Sequence, residues 1–288
     1  MNLTKVVIPA AGRGTRLLPA TKSVQKELIP IIDKPTVEYA VEEAFKSGFK
    51  EVLFITSDKE GNIKNYFLED KQLNQYLEEK KKFDLLKELP QYFESLSFHS
   101  AYQPEAGGLG AAVLLAEDFV KNEAFTVTLV DDIIDAEVPV LKQLKNVFEK
   151  THASIISVME VSDSEVSRYG IVEGEEVEPG LYKIKRVQEK PKPSETTSRM
   201  AIIGRYLLTP GIFECLKSTP RGKGEEIQLT DALSLLLQKE EIYAYKFKGT
   251  RVDAGDKLGL LKAQLYFGFK NNLWKEELKK YFDSLYAF

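Results

Sequence analysis

Cysteine is nearly absent from this sequence. Cys215 is the only one among 288 residues, so no internal disulfide can form and a cysteine-rich metal site is excluded. Chains without disulfides are typical of a reducing compartment, and we expect a cytoplasmic location.

Long apolar runs are also missing. No stretch approaches the roughly 18 apolar residues that a membrane-spanning helix requires. The short apolar run near the start ends at Pro9 and is too brief for the core of a signal peptide. We therefore expect a soluble chain with no membrane partner.

Neither sign of charge dominates the composition. The formal net charge is only −4, which gives no general attraction to nucleic acid or to anionic membranes. Nucleic acid is thus not expected as a partner. A phosphorylated ligand would have to be bound by a local cluster of basic groups and backbone N–H donors. Hydrophobic residues make up 43% and charged residues 29%, which is ordinary for a globular protein with a core.

Strand and helix patterns alternate along the chain. Residues 6–8 are a β-branched apolar run, as in a strand buried on both faces of a sheet. Residues 36–47 follow as an amphipathic helix and residues 52–56 as a second strand. Further strands are indicated at 125–130 and 153–161. The fold class is therefore predicted to be α/β, with a doubly wound, mostly parallel (Rossmann-like) sheet.

The rest of the chain changes in amino-acid composition from segment to segment, but it contains no linker and no repeat. Residues 59–93 are rich in Lys, Glu, Leu and Tyr of mixed charge, which indicates two or three surface helices. Residues from about 160 to 210 contain glycine-rich alternating segments typical of β-hairpins. The tail from about 256 to 288 is predicted to be helical. We expect one domain spanning 1–288.

A glycine loop directly follows the first predicted strand. Gly12 and Gly14 would let backbone N–H groups approach a phosphate chain closely. The loop lacks the third glycine of a dinucleotide-binding fingerprint, which disfavours a nicotinamide oxidoreductase, and it lacks the closing Gly-Lys-Ser/Thr of a P-loop. Two glycines alone could equally form a tight turn. The nearby cations Arg16, Lys22 and Lys26 favour an anion among them.

The motifs of this loop and of the chain beyond it resemble the sugar-nucleotide pyrophosphorylases. The likeness covers nearly the whole chain. The matching segments, in chain order, are Gly12-x-Gly14-Thr15-Arg16-Leu17-x-Pro19-x-Thr21, Lys26-Glu27-Leu28-x-Pro30, Asp33-Lys34-Pro35, Gln103, Gly108-Leu109-Gly110, Leu129 with Asp131, Tyr169-Gly170-Ile171-Val172, Glu189-Lys190-Pro191, Ile203-Gly204-Arg205-Tyr206, Glu226-Ile227-Gln228-Leu229-Thr230-Asp231-Ala232 and Asp253-Ala254-Gly255-Asp256-Lys257-Leu258-Gly259. The last two segments look like those of the bacterial UTP–glucose-1-phosphate uridylyltransferases.

The resemblance implies nucleotidyl transfer, in which a sugar phosphate attacks the α-phosphorus of UTP and pyrophosphate leaves. The substrates would be UTP and glucose 1-phosphate, and the cofactor Mg²⁺. A phosphate monoester is already largely ionised at pH 7 because its second pKa is about 6, so a general base is unnecessary. His99 and His152 are therefore expected to be structural or exposed. The family also implies a homodimer or homotetramer.

Site residues follow from the same resemblance. The implied catalytic residues are Arg16, Lys26, Asp131 and Lys190. Those implied for nucleotide binding are Ala11, Gly12, Gly14, Thr15, Gln103 and Gly108. Those implied for the sugar phosphate are Gly170, Glu189, Lys190 and Gly204. The metal would be held by Asp131 and Asp253.

Simpler interpretations of these residues remain open. Asp131 follows a predicted strand at the edge where open α/β sheets bind ligands, but it could be a turn or helix cap. Asp253 could belong to an ordinary Asp-Gly turn, and Glu189 with Lys190 could be a solvated pair. A sister enzyme using another base, such as dTTP, and a non-enzymatic nucleotide-sugar-binding homologue also remain alternatives.

Several positions depart from the pattern of the uridylyltransferases. Gln25 stands where proline is usual, Ala111 replaces a common histidine and Gly107 a polar or basic residue. Val130, Val252 and Leu260 are further departures. None deletes an implied metal ligand or phosphate-binding cation, so activity is expected.

Overall fold

The computed structural model describes residues 3–90, 92–104 and 107–285, apart from the side chains of Phe93 and Lys223. Its centre is a nine-stranded sheet. In spatial order the strands are β5 (Ser97–Tyr102), β4 (Glu51–Thr56), β1 (Lys5–Ala10), β6 (Phe125–Thr128), β11 (Met200–Leu208), β8 (Ser154–Glu160), β12 (Ile242–Lys246), β10 (Leu181–Glu189) and β9 (Gly170–Glu178).

The sheet is mixed. Strands β5, β4, β1 and β6 are contiguous and parallel. Strand β11 runs antiparallel between β6 and β8, and β10 runs antiparallel between β12 and β9. The predicted α/β class is confirmed at the level of a mixed sheet with helices. Fewer strands are parallel than expected, because β11 and β10 each pair antiparallel with both of their neighbours.

Helices cover both faces of the sheet. One face packs α5 (Gly108–Leu114), α8 (Gly211–Ser218) and α9 (Leu229–Leu236) over side chains such as Val7. The other packs α1 (Thr36–Lys46) and α7 (Val140–Thr151) over Val6 and Ile8. Successive β1 side chains thus face opposite cores, which explains why residues 6–8 are apolar without alternation.

Two short strands after the glycine loop, β2 (Pro30–Ile31) and β3 (Lys34–Pro35), pair antiparallel. The structure also contains shorter helices and a helical tail. They are α2 (Asn62–Tyr66), α3 (Lys71–Glu79), α4 (Phe83–Glu88), α6 (Glu117–Val120), α10 (Lys257–Lys270) and α11 (Lys275–Leu285). The last three residues of the predicted tail lie outside the described part. Within the described ranges, no helix is long and apolar enough to cross a membrane.

A small two-stranded ribbon lies beside the main sheet. Strand β7 (Asp132–Asp135) pairs antiparallel with β13 (Thr250–Asp253), and its register sets Asp253 opposite Asp132. The ribbon begins four residues after the end of β6. It therefore brings a segment from late in the chain to the carboxyl edge of the parallel strands.

A buried ion pair stabilises the carboxyl edge of the parallel strands. The Arg205 guanidinium, 1% exposed, bonds the Glu43 carboxylate of α1 at 2.8 Å and donates to the carbonyl of Leu129 at 3.0 Å. The other oxygen of Glu43 accepts the N–H of Leu141 at the start of α7. Arg205 thus connects two helices to the turn that precedes Asp131.

Candidate active site

The glycine loop after β1 wraps around a lysine side chain. Gly14 has a left-handed φ of +60°, and a β-carbon there would lie 3.0 Å from Cβ of Lys26. A β-carbon on Gly12 would lie 3.4 Å from Cε of Lys26. Ala11 and Thr15 flank these glycines in the same loop. Small residues are needed here because the lysine passes directly against the backbone.

Two cations of this loop meet the first predicted metal ligand. Lys26 Nζ lies 3.3 Å from Oδ2 of Asp131, and an Arg16 Nη atom lies 3.9 Å from the same oxygen. Burial alone would raise the pKa of Asp131, but the charges of Lys26 and Arg16 outweigh it and lower that pKa. Burial would lower the pKa of Lys26, but Asp131 and Glu27 raise it. Both groups of the pair are therefore charged.

Asp253 converges on the same point from the ribbon. A β-carbon on Gly255 would lie 3.1 Å from Oδ1 of Asp253 and 3.4 Å from Oδ2 of Asp131. The Gly255 N–H donates to Asp253 Oδ1 at 2.9 Å, and the Ala254 N–H donates to the Asp131 carbonyl at 2.8 Å. The two carboxylates predicted to bind metal are thus neighbours across a glycine.

These carboxylates suit a magnesium ion that also binds substrate. No group of three or more His, Cys, Asp or Glu side chains that could hold a metal ion occurs among residues 3–90, 92–104 and 107–285. Mg²⁺ is usually held by one or two carboxylates together with substrate phosphates and water, and not by a full protein cage. The pair of Asp131 and Asp253 fits that donor set, and Lys26 and Arg16 fit the phosphates.

The sugar-side residues form a second group. Glu189 accepts a hydrogen bond from the Thr230 hydroxyl at 2.8 Å and pairs with Lys190 Nζ at 2.9 Å. A β-carbon on Gly170 would lie 3.5 Å from Oε2 of Glu189. Lys190 has a φ of +44°, which is uncommon for a residue with a side chain and is often found at functional sites. In this conformation the two side chains meet at the end of β10.

Gly204 lies beside the turn that carries Asp131. It is buried, and a β-carbon there would lie 2.7 Å from both the Leu129 side chain and Oδ2 of Asp132. Its N–H donates to Asp132 at 3.1 Å. The missing side chain thus makes room for the turn that carries Asp131. Contact of Gly204 with the sugar stays a prediction.

The turn at residues 107–110, which is predicted to bind the base, is hydrogen-bonded to a later segment of the chain. Gly108 has a φ of +86°, and a β-carbon there would lie 2.8 Å from the carbonyl oxygen of Ile227. The backbone of Ile227 exchanges hydrogen bonds with this turn, donating to Gly107 at 2.8 Å and accepting from Gly110 at 2.9 Å. Gln103 is buried just beyond β5. Since Thr230 contacts Glu189, residues 227–230 connect the base-binding turn to the sugar group.

Two residues of the site escaped the sequence reasoning. Asp132 is buried and pairs with Arg251, and Arg251 also pairs with Asp253. The spacing of both residues in the sequence could have indicated them. Asp132 is adjacent to Asp131, and Arg251 precedes Asp253 by two residues, the spacing that places two strand residues on the same face.

The departures from the family pattern are accommodated locally. Gln25 has a φ of −61°, the value that proline itself would impose, so the backbone before Lys26 keeps its form. A β-carbon on Gly107 would lie 2.8 Å from Cβ of Ala111, so these two small residues fill one space. Three further departures are packed in apolar clusters, and they are Val130, Val252 and Leu260.

Glu27 next to Lys26 should give the folding stability a distinct pH dependence. Its carboxyl is 1% exposed and lies 3.7 Å from Lys26 Nζ. Burial raises its pKa from 4.5 to about 7, although Lys26 opposes the shift. A raised carboxyl pKa means that stability present below pH 4.5 is lost as the pH rises through about 7.

Replacement of this carboxyl should remove that loss. Relative to Glu27→Gln, the unfolding free energy of the wild type should fall by about 3 kcal/mol between pH 4.5 and 7.5. Urea unfolding across this range measures the difference. A difference that does not change with pH would contradict the assignment.

Comparison with known proteins shows the family of this chain. Residues 5–268 match the family model described as nucleotidyl transferase. The chain belongs to the nucleotidyl transferase family.

Its relatives identify the branch of that family. A UTP–glucose-1-phosphate uridylyltransferase of Staphylococcus haemolyticus is 44% identical over 99% of both chains. One from Streptococcus pneumoniae serotype 4 is 46% identical over 97% of this chain and 95% of its own. The solved UTP-bound UGPase from Acinetobacter baumannii is 36% identical, covers both chains fully and has a TM-score of 0.90. A UDP-glucose pyrophosphorylase complexed with UDP-glucose is 39% identical over 94% of this chain and 100% of its own, with a TM-score of 0.86. The predicted membership of the sugar-nucleotide pyrophosphorylases is confirmed.

Proposed function

We propose that this chain makes UDP-glucose and pyrophosphate from UTP and glucose 1-phosphate. The observation that carries the proposal is the meeting of Lys26, Arg16, Asp131 and Asp253 at one edge of the sheet. Such a cluster of two cations and two carboxylates suits a triphosphate with its metal ion. The uridylyltransferase relatives supply the identity of the base and the sugar.

The reaction is an in-line displacement between two anions. An oxygen of the sugar phosphate forms a bond to the α-phosphorus of UTP, and the bond from that phosphorus to the oxygen bridging to the β-phosphorus breaks. The nucleophile is already ionised at neutral pH, so no side chain has to remove a proton. The task of the protein is to orient the two substrates and to stabilise charge on the phosphates.

The side chains divide this task between two groups. Lys26 and Arg16 would stabilise charge on the α-phosphate and on the departing pyrophosphate, and Lys190 would bind the phosphate of glucose 1-phosphate. Glu189, oriented by Thr230, would accept hydrogen bonds from sugar hydroxyls. Mg²⁺ held by Asp131 and Asp253 would supply further charge stabilisation when bound.

The base would be read at the turn after β5. The Gln103 amide can both donate and accept, and thus fits the edge of uracil. The backbone of Gly108, Ala11 and Gly12, with Gly14 and Thr15, would line the nucleotide. A homodimer or homotetramer and a cytoplasmic location remain parts of this proposal.

A panel of nucleotides tests the function. The purified protein is incubated with glucose 1-phosphate, Mg²⁺ and either UTP, dTTP, CTP, ATP or GTP, and released pyrophosphate is measured. We expect the fastest release with UTP. Preference for dTTP would favour the sister enzyme. Binding of UDP-glucose by folded protein without pyrophosphate release from any nucleotide would favour the non-enzymatic homologue.

A further inference from the structure

We propose that Arg251 is a positioning residue that couples the metal side of the site to its sugar side. It would do so by holding Asp253 and Tyr169 in fixed orientations at the same time. This inference rests on the proposed function, because it concerns how the same site is kept in order.

Arg251 contacts three partners through the three nitrogens of its guanidinium. Its Nε donates to Asp132, one Nη donates to the Tyr169 hydroxyl at 3.0 Å and the other Nη donates to Asp253 Oδ2 at 3.0 Å. The side chain is only 13% exposed. A planar guanidinium holds its donors in fixed directions, so the three acceptors are fixed relative to one another.

On the metal side, Arg251 determines the orientation of the Asp253 carboxylate. One oxygen of Asp253 accepts from Arg251 and the other accepts from the Gly255 N–H at 2.9 Å. Asp132, the second partner, also accepts the N–H of Gly204 and immediately follows Asp131 in the chain. The guanidinium therefore contacts one predicted metal ligand directly and the turn of the other through Asp132.

On the sugar side, Arg251 holds the residue next to Gly170. Its guanidinium lies 5.3 Å from the centre of the Tyr169 ring, in addition to its hydrogen bond to the hydroxyl. The carbonyl of Tyr169 accepts the N–H of Lys190 at 3.1 Å. A displacement of Tyr169 would therefore move the backbone of the lysine that is predicted to bind the sugar phosphate.

A simple charge-neutralising role explains only part of this arrangement. A lysine at position 251 could balance the buried charge of Asp132. It could not reproduce three separately directed donors, because an ammonium on a flexible stem is not a planar fork. Arg251→Lys thus separates the two roles. Tyr169→Phe removes only the bond on the sugar side.

The experiment measures UDP-glucose binding by calorimetry without metal, alongside steady-state kinetics for both substrates. We expect Arg251→Lys to weaken metal-free UDP-glucose binding about 10-fold and to lower kcat, and Tyr169→Phe to weaken binding about 5-fold, as for loss of a charged hydrogen bond. Both substitutions break the hydrogen bond between Arg251 and Tyr169. The double variant should therefore bind UDP-glucose no more weakly than Arg251→Lys alone. Tyr169→Phe should raise the KM for glucose 1-phosphate and leave that for UTP unchanged.

One control variant and one replacement variant accompany Arg251→Lys. Arg199→Lys alters another arginine–aspartate pair, with Asp163, and should leave binding and kinetics unchanged. If Arg251→Lys does not fold, the variant Asp132→Asn/Arg251→Met removes both buried charges together and should show the same 10-fold loss.

Two results would overturn the inference: binding and turnover of Arg251→Lys within twofold of the wild type, or losses in the double variant that simply add. An inactive wild type would instead contradict the proposed function.

Discussion

Asp131→Asn is expected to lower UDP-glucose formation by at least about 10³-fold, or about 4 kcal/mol of transition-state stabilisation. The substitution keeps the size of the side chain but removes the charge that faces Lys26 and Arg16. It would thereby weaken the metal site and leave two cations without their carboxylate. Released pyrophosphate measures the rate, and thermal unfolding shows whether the fold is retained.

A matched substitution on the adjoining strand is the control. Asp135 on β7 bonds Tyr266 and Lys270 and does not contact Lys26. Asp135→Asn should therefore keep nearly full activity. If Asp131→Asn also kept nearly full activity, Asp131 would not be the metal ligand, and its role would reduce to capping the turn after β6.

Arg205→Met is expected to lower the free energy of unfolding by about 3–5 kcal/mol. The substitution leaves the Glu43 carboxylate, 8% exposed, without its counter-charge. It also removes the donor to the Leu129 carbonyl. Urea unfolding at pH 7 measures the loss as a fall in the midpoint concentration.

Two companion variants test the reason for that loss. Glu43→Gln/Arg205→Met removes both charges and should recover most of the lost stability, because an uncompensated buried charge is the main cost. Arg199→Met breaks a pair whose carboxylate, on Asp163, is exposed, and should change stability by less than about 1 kcal/mol. A loss below 1 kcal/mol for Arg205→Met would show that the pair contributes little.

The local elements could be predicted well where the apolar pattern fitted only one kind of element. The buried strand at residues 6–8 is the centre of Lys5–Ala10, and the helix expected at 36–47 is Thr36–Lys46. Residues 110–120, whose apolar pattern resembles that of a single helix, lie in two helices, Gly108–Leu114 and Glu117–Val120. Side-chain pattern does not distinguish a continuous helix from one interrupted within a single turn.

The placement of β11 and β13 could not be predicted in the same way. Both pair with strands distant in the chain, β11 with β6 and β13 with β7. Such pairings depend on tertiary packing, and no local pattern reports them. The ribbon that places Asp253 opposite Asp132 therefore appears only in the structure.

The candidate site was predictable to a similar, partial extent. Lys26 and Asp131 follow β1 and β6, which are parallel neighbours, so their proximity follows from the usual ligand edge of an open sheet. The family resemblance supplied Asp253, Glu189 and Lys190. Arg251 was missed because two of its three partners, Asp132 and Tyr169, are distant in the chain.

The contact between Gly107 and Ala111 has a consequence for engineering and for evolution. A β-carbon on Gly107 would come within 2.8 Å of the Ala111 β-carbon. Every residue other than glycine at position 111 carries that β-carbon, so no exchange at position 111 for a larger side chain relieves the contact. Grafting the residues usual in related enzymes at these two positions therefore requires the backbone of the turn to move as well, and exchanging the two side chains alone should lower stability.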